Sequence, residues 1–349
     1  MFINHKMYIF FFFSQIIFGA SYTFKFPVDH GAHNDFRSEW WYFTGNLTDA
    51  NGRNFGYEFT VFRNASTYNS QKHKSEFEND QQYIAHFAVS DIQKNKFYYK
   101  EKLGLGEDSD AGAVCDPLKI WVSDWTVNGN YPTNNYYKPE FHIKAVTNKY
   151  SILLNLKSDK SLILNGDNGL SRKGPGSDEF SYYYSIPRIS TEGTITINNV
   201  QYKVSGFSWF DLEWTNSSIG LNSIAWDWFS IQLDNDEELM FYKIKNNGAS
   251  TGKYNYGAFI NKDGEVEKLR DSDVKIITTD FWKSDLTKVY PSGWDIKVSK
   301  VNLAVKIKPM MKDQQLKLFT SYWEGAVQAW GTLKNRKITG KGYVELTGY

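Results

Sequence analysis

An all-β chain folded as two barrels or sandwiches of short antiparallel strands is what this sequence predicts. Three observations lead there. Apolar and polar residues alternate with a period of two over many short stretches rich in aromatic and β-branched residues. Turn residues interrupt these stretches at frequent intervals, and no long segment repeats with the helical period of 3.6. The chain has 349 residues, which at about 100–200 residues per domain suits two domains.

The elements follow in order. Residues 55–62 alternate cleanly, and 83–89 form a second candidate strand. Residues 194–197 and 200–204 flank Asn198-Asn199, and paired asparagines accept the positive φ of a tight hairpin turn. Residues 229–233 and 239–244 flank the acidic turn Asp234-Asn235-Asp236. Residues 256–260 lead to Asp263-Gly264 and then Val266, and 343–346 close the chain after Ile338. Two stretches read as irregular: the polar segment 69–80 and the glycine-rich segment 165–176. The join between the domains is expected near 187–193, giving a first domain over 22–190 and a second over 191–349.

Residues 1–21 read as an export leader. Lys6 precedes a mostly apolar run over 7–19, and Gly19-Ala20-Ser21 supplies a small-x-small cleavage pattern. The run is short for a membrane span, and no later segment is long and apolar enough for one. The expectation is an exported chain, periplasmic or secreted, with no transmembrane span after cleavage. With 40 basic and 39 acidic residues the net charge is +1. That balance argues against nucleic acid as a partner, because phosphate binding wants a basic excess. The single Cys115 excludes an intramolecular disulfide.

Aromatic residues make up 17% of the chain, and several are clustered around acids. The clusters are Glu39-Trp40-Trp41-Tyr42, Trp209-Phe210-Asp211-Leu212-Glu213-Trp214, Trp226-Asp227-Trp228 and Trp323-Glu324. Large aromatics build the wall of an apolar pocket, and a few acids supply its polar handles. In a strand, Trp209, Asp211 and Glu213 share one face. An acid against aromatic walls is what protonation of an alkene requires: the acid delivers the proton, and the ring faces stabilise the carbocation. Asp211 and Glu213 are therefore the candidate catalytic pair, with a hydrogen-bonded structural acid as the alternative. Asp227 points away from Trp226 and Trp228. Glu39 admits two readings, a proton donor in an aromatic cavity or a buried partner of Arg37 or Arg63. His86, inside an apolar run, reads as a core histidine. Asp29-His30-Gly31-Ala32-His33 has donors suited to zinc, but the ligand set is incomplete, so neither a metal nor any other cofactor is expected. There is no Gly-x-Ser-x-Gly elbow, phosphate loop or dinucleotide fingerprint.

Taken together, the motifs Phe26-Pro27-Val28-Asp29-His30-Gly31-Ala32-His33, Glu39-Trp40-Trp41-Tyr42, Gly166-Asp167-Asn168-Gly169-Leu170-Ser171-Arg172-Lys173-Gly174 and Tyr182-Tyr183-Tyr184-Ser185 resemble the AttH-like family, as do the clusters at 209–214, 226–229 and 322–326 and the ending Gly342-Tyr343-Val344-Glu345-Leu346-Thr347-Gly348-Tyr349. That family also includes the carotenoid 1,2-hydratases. The resemblance implies two lipocalin-like β-barrel domains and an exported bacterial protein linked with an ABC-type permease. Its hydratase branch adds water to a terminal carotenoid double bond without a cofactor, with a proposed donor aspartate that matches Asp211. Departures place this chain nearer the AttH-like branch. Tyr182 and Tyr184 stand where the hydratases carry His and Trp, and Trp209 where they carry Tyr. Leu212 replaces a usual His, for which strand alternation gives a packing role, and Ala225 a usual Gly.

The leading expectation is a binder of an apolar lipid or isoprenoid, with Glu39, Trp40, Trp41, Tyr182, Tyr184, Trp209, Trp214, Trp226, Trp228 and Trp323 lining its site. The alternatives are a cofactor-independent hydro-lyase or cyclase with Asp211 as acid, and a ligand-free adaptor of a membrane complex.

Overall fold

The computed structural model describes residues 22–65, 81–106, 110–217, 224–246, 249–250, 252–285 and 287–349. The leader and the polar segment 69–80 lie outside the described residues. The first domain is built from β1 (Ser38–Asp49), β2 (Asn54–Ala65), β3 (Gln81–Asp91), β4 (Lys96–Leu105), β5 (Ala111–Cys115), β6 (Leu118–Val122), β7 (Trp125–Asn130), β8 (Glu140–Val146), β9 (Tyr150–Ser158), β10 (Ile163–Leu164), β11 (Leu170–Arg172), β12 (Phe180–Ile197) and β13 (Val200–Thr215). The second is built from β14 (Ile224–Leu233), β15 (Glu238–Asn246), β16 (Ala249–Ser250), β17 (Tyr256–Ile260), β18 (Val266–Arg270), β19 (Val274–Lys283), β20 (Val289–Val298), β21 (Leu303–Pro309), β22 (Gln315–Lys317), β23 (Ser321–Leu333) and β24 (Arg336–Leu346). Between strands, the described residues contain only short 3-10 turns. Each set forms one antiparallel sheet, and the pair is lipocalin-like, a near-barrel followed by a half-barrel.

The first sheet runs β4-β3-β2-β1-β13-β12-β9-β8-β7-β6-β5, with β10 and β11 added to β12. Its two end strands approach each other where Gly104 meets Ala111. The hairpin at Asn198-Asn199 forms as the sequence predicts, with Ile197 opposite Val200 and φ of 49° and 65° at the two asparagines. It is the closing hairpin of the first barrel and not the opening of the second. β13 pairs with the whole length of β1, from Ser38 opposite Thr215 to Asp49 opposite Val204. The expected boundary at 190/191 therefore falls inside β12 and is corrected: the chain leaves the first sheet after Thr215.

Alternation sets three cores. One face of β1 (Trp41, Phe43, Leu47) fills the first barrel with Phe210, Leu212 and Trp214 of β13. The second sheet encloses its own core around Phe229, Ile231, Trp294 and Trp323. The opposite face of β1 and β13 meets the outer face of β14, β15 and β24, where Tyr42, Tyr183, Trp209, Trp228, Tyr242 and Tyr343 pack together. Strands here are buried on both faces, and β1 accordingly carries an unbroken aromatic run from Trp40 to Phe43. Polar contacts pin the domains: Glu238 accepts from Lys160 Nζ at 2.8 Å and Arg188 Nε at 2.6 Å, and Gln232 Nε2 donates to the carbonyls of Pro187 and Ser208 at 2.8 and 2.9 Å.

Candidate active site between the domains

β13 presents Trp209, Asp211 and Glu213 on its outer face, as its period of two dictates. On one side β12 sets Ser185 opposite Asp211 and Tyr183 opposite Glu213; on the other, β1 sets Tyr42 opposite Asp211. The second domain closes over them with Trp228. Asp211 is 4% exposed. Its Oδ1 accepts from Ser185 Oγ at 2.5 Å and Trp209 Nε1 at 2.7 Å, and its Oδ2 accepts from Tyr183 OH at 2.7 Å. Two of these donors are themselves held: Trp228 Nε1 donates to Tyr183 OH at 3.2 Å, and Asn165 Nδ2 to Ser185 Oγ at 2.7 Å. Trp228 stands edge-on to Trp209 at 6.1 Å and to Tyr42 at 5.3 Å between ring centroids.

Burial pushes the Asp211 carboxyl up to about 7. Its three hydrogen bonds oppose that rise, and the nearby Glu213 charge adds to it. Glu213 accepts from Ser181 Oγ and pairs with Lys173 Nζ at 2.8 Å. Burial disfavours the Lys173 charge, but Glu213 and Tyr242 outweigh it and its pKa is raised. Glu213 is thus the ion-paired neighbour of the acid. Asp227 turns the other way, to Lys245 Nζ and Tyr349 OH, both at 2.7 Å.

The facing wall is also acidic. Trp226 Nε1 donates to Glu345 at 2.8 Å, and Tyr42 OH donates to Glu324 at 2.9 Å. Burial raises Glu324 well above the usual carboxylate range; it raises Glu345 and, on the first domain, Glu58 to about 8. Trp40, Trp226 and Glu345 are only partly buried and lie at the edge of this interdomain contact.

The structure therefore divides the expected site residues. Trp40, Trp209, Asp211, Glu213, Trp226 and Trp228 come together between the domains. Trp41, Tyr182, Tyr184 and Trp214 lie in the first barrel core and Trp323 in the second. Tyr183, between the two tyrosines singled out from the sequence, is the one that reaches Asp211, because its register against β13 puts it on the acid's face. Glu39 takes its structural role: it is fully buried, Arg63 Nε donates to it at 2.9 Å, and His33 Nδ1 donates at 2.5 Å. His33 also stacks on Trp214 at 3.7 Å. The two histidines of the zinc-like motif do not converge. His30 Nε2 donates to the Tyr136 carbonyl at 2.8 Å, so its Nδ1 accepts from Tyr184 OH at 2.7 Å. Among the described residues, no group of three or more His, Cys, Asp or Glu side chains is arranged for a metal ion. His86 is buried, but at the domain interface, 2.6 Å from Tyr322 OH and 3.0 Å from Glu101. A separate groove of about 1350 Å³, bordered by Arg172, Lys253, Lys268, Arg270 and Lys300, contains none of the expected site residues.

These ionisations make stability depend on pH in two opposed ways. Asp211 and Glu58 have folded-state values above their unfolded ones, so the folded protein holds protons that the unfolded chain releases. Their contribution is full below about pH 4 and is lost as pH rises to about 8. For Asp211, a rise from 3.8 to about 7 corresponds to about 4 kcal/mol. Asp29 and Glu39 are lowered, because His33 and their other partners outweigh burial, so their contribution is lost in acid. His33, raised to about 9 by its two carboxylates against burial, contributes fully below about 6.5 and loses that contribution as pH passes 9. The melting temperature is therefore expected to peak in mild acid and fall by pH 8. The Asp211→Asn, Glu58→Gln double variant should flatten that fall; an unchanged slope would show that these carboxyls do not titrate between pH 4 and 8.

Comparison with known proteins agrees with the fold. The AttH-like family matches residues 19–349. A crystal structure described as an AttH from Nitrosomonas europaea superposes with a TM-score of 0.82 and 31% identity, covering 95% of this chain and 98% of that one. Kievitone hydratase of Fusarium solani subsp. phaseoli is 23% identical over 273 residues, 75% of this chain and 74% of the relative. The structure of kievitone hydratase from Nectria haematococca shares the fold, with a TM-score of 0.69 and 14% identity over 89% of each chain. With the family match running through both barrels and the cleft between them, the chain belongs to the AttH-like family.

Proposed function

We propose that this protein is a hydro-lyase that adds water to an isolated carbon–carbon double bond of an apolar, isoprenoid-type molecule, with Asp211 as general acid. The observation that carries the reading is a buried carboxyl raised to about 7, held by three hydrogen bonds and walled by Trp209, Trp228 and Tyr42. The similarity to kievitone hydratase supports the same reaction class.

The residues divide the work. The protonated Asp211 gives its proton to the less substituted alkene carbon. An aromatic face of this cluster, Trp209 or Trp228, stabilises the cation by cation–π attraction, about 0.5–2 kcal/mol. Tyr183, Ser185 and Trp209 hold the carboxylate left behind, and water closes the C–O bond. Positioned acid catalysis of this kind contributes about 10²–10⁴-fold. No cofactor is needed for the step so written.

A carrier of an apolar ligand would use the same cleft, since both barrel interiors are filled by their own side chains; turnover separates the readings. Incubation with kievitone and with a linear isoprenoid alkene in ¹⁸O-water tests the proposal. Incorporation of one ¹⁸O into an alcohol product is expected, with a rate that falls as pH rises through about 7 because the acid must be protonated. A cyclised product without ¹⁸O would indicate a cyclase, and binding without conversion a carrier. Export and association with an ABC-type permease belong to the same proposal. Recovery of the chain from the cell envelope together with a permease would support them, and its retention in the cytoplasm would refute them.

A further inference from the structure

The second domain's wall of the cleft carries carboxyls that proton donation by Asp211 does not use. Glu324 and Glu345 stand directly opposite each other on β23 and β24. The Cβ atoms of side chains so placed lie about 4.5–5.5 Å apart, where ionising both carboxyls would be repulsive. From the first domain Glu58 faces the same region, opposite Thr44 across β1 and β2. Among the described residues, none of these three acids forms an ion pair with a lysine or arginine. A cluster of this kind destabilises a domain interface unless it has another use.

Its polar atoms show what that use requires. Glu58 Oε2, Glu324 Oε1 and Thr44 Oγ1 have no hydrogen-bond partner, although Glu58 and Glu324 are fully buried and Thr44 is 1% exposed. Each such atom costs about 1–3 kcal/mol when left unpaired. The acids are nonetheless fixed in place, because the second oxygen of Glu58 accepts from Thr60 Oγ1 and that of Glu324 from Tyr42 OH. Tyr42 is the direct cross-strand neighbour of Asp211, and Thr44 that of Trp209. The unpartnered atoms therefore lie beside the residues that surround Asp211 and are polar and hidden from bulk solvent. Only Glu345 reaches the solvent edge, where Trp226 holds it.

We infer that Thr44, Glu58 and Glu324 hold the attacking water of the hydration, and that Glu345 is the carboxyl through which its surplus proton leaves. The inference rests on the hydro-lyase reading above. In the step, the Asp211 O–H bond breaks and a C–H bond forms. The water oxygen then bonds to the cationic carbon; as the water sheds its proton, each neutral carboxyl of the cluster accepts a proton on its carbonyl oxygen while giving up its own O–H proton, and Glu345 releases one to solvent. Solvent returns a proton to Asp211, and the sum is alkene plus water giving alcohol. Neither oxidant nor reductant is involved.

The test follows kievitone in D₂O with the full chain and its Glu324→Gln, Glu58→Gln and Thr44→Val variants. Alcohol formation and deuterium entry into recovered alkene are measured separately. Deuterium entry reports cation formation alone, because an uncaptured cation loses a proton and returns to alkene. Each variant is expected to form alcohol about tenfold more slowly, or worse, with deuterium entry undiminished. Parallel loss of both, or loss of neither, would overturn the inference while leaving the hydro-lyase reading intact. A wild-type chain that forms no alcohol and takes up no deuterium would overturn that reading and, with it, the water's role as nucleophile. An atomic-resolution crystal structure of the full chain tests the subsite without any substrate. A water bonded to at least two of Thr44 Oγ1, Glu58 Oε2 and Glu324 Oε1 is expected; direct pairing of these atoms with one another, with no water, would refute it.

Discussion

Replacing Asp211 with Asn is expected to lower the rate of water addition by about 10²–10⁴-fold, the range for loss of a positioned general acid. The fold should survive. Asn keeps the shape of the side chain, its carbonyl can accept from Trp209 and Ser185, and its amide can donate to Tyr183 OH. Stability at pH 8 should rise, because a buried carboxyl that would ionise there has been removed. Affinity for an unreactive apolar analogue should stay within about threefold, since the aromatic walls are untouched. Circular dichroism, ligand titration and turnover on one preparation separate these effects. Unchanged turnover would remove Asp211 from the acid's role.

The second large effect is expected far from the chemistry. Arg63 is fully buried and does four jobs at the mouth of the first barrel: its Nε donates to Glu39 at 2.9 Å, its Nη1 to Gln81 at 2.5 Å, and its Nη2 to the carbonyls of His33 and Phe36 at 2.8 and 2.9 Å. Arg63→Met should cost about 3–5 kcal/mol, because it strips a buried carboxylate of its permanent cation. Adding Glu39→Gln should restore part of the loss by removing the stranded charge. Urea denaturation of both variants measures this, and a single-variant cost below about 1 kcal/mol would contradict the account.

How far the sequence shows these features depends on whether they are local. The strand at residues 55–62 lies within β2, and the turns at Asn198-Asn199, Asp236 and Gly264 all carry the positive φ that their residue types suggest. Trp209, Asp211 and Glu213 share a face because the period of two needs nothing beyond the segment itself. Leu212 packs in the barrel and Asp227 faces away from its tryptophans for the same reason. Tyr182 and Tyr184 are expected to line the ligand site, but Tyr183 is the tyrosine on the acid's face. That choice is made by the register of β12 against β13, which no single segment encodes. Trp41, Trp214 and Trp323 show the same difficulty: an aromatic beside an acid fills a core or lines a cleft according to which face its neighbours cover. The domain boundary was misplaced because a good hairpin signal does not say which barrel owns the hairpin. The least legible feature is the acidic wall, since Tyr42 and the Glu324 it binds are 282 residues apart. Both belong to aromatic–acid clusters of the sequence, and only the docking of the domains brings them together.

The measurement that tests the central claim most directly is a crystal structure of the Asp211→Asn chain with an apolar alkene bound. The account predicts the double bond against the Trp209–Trp228 pair, with its less substituted carbon about 3–3.5 Å from the side chain at position 211. A ligand seated inside either barrel, or in the groove bordered by Arg172 and Lys268, would contradict it.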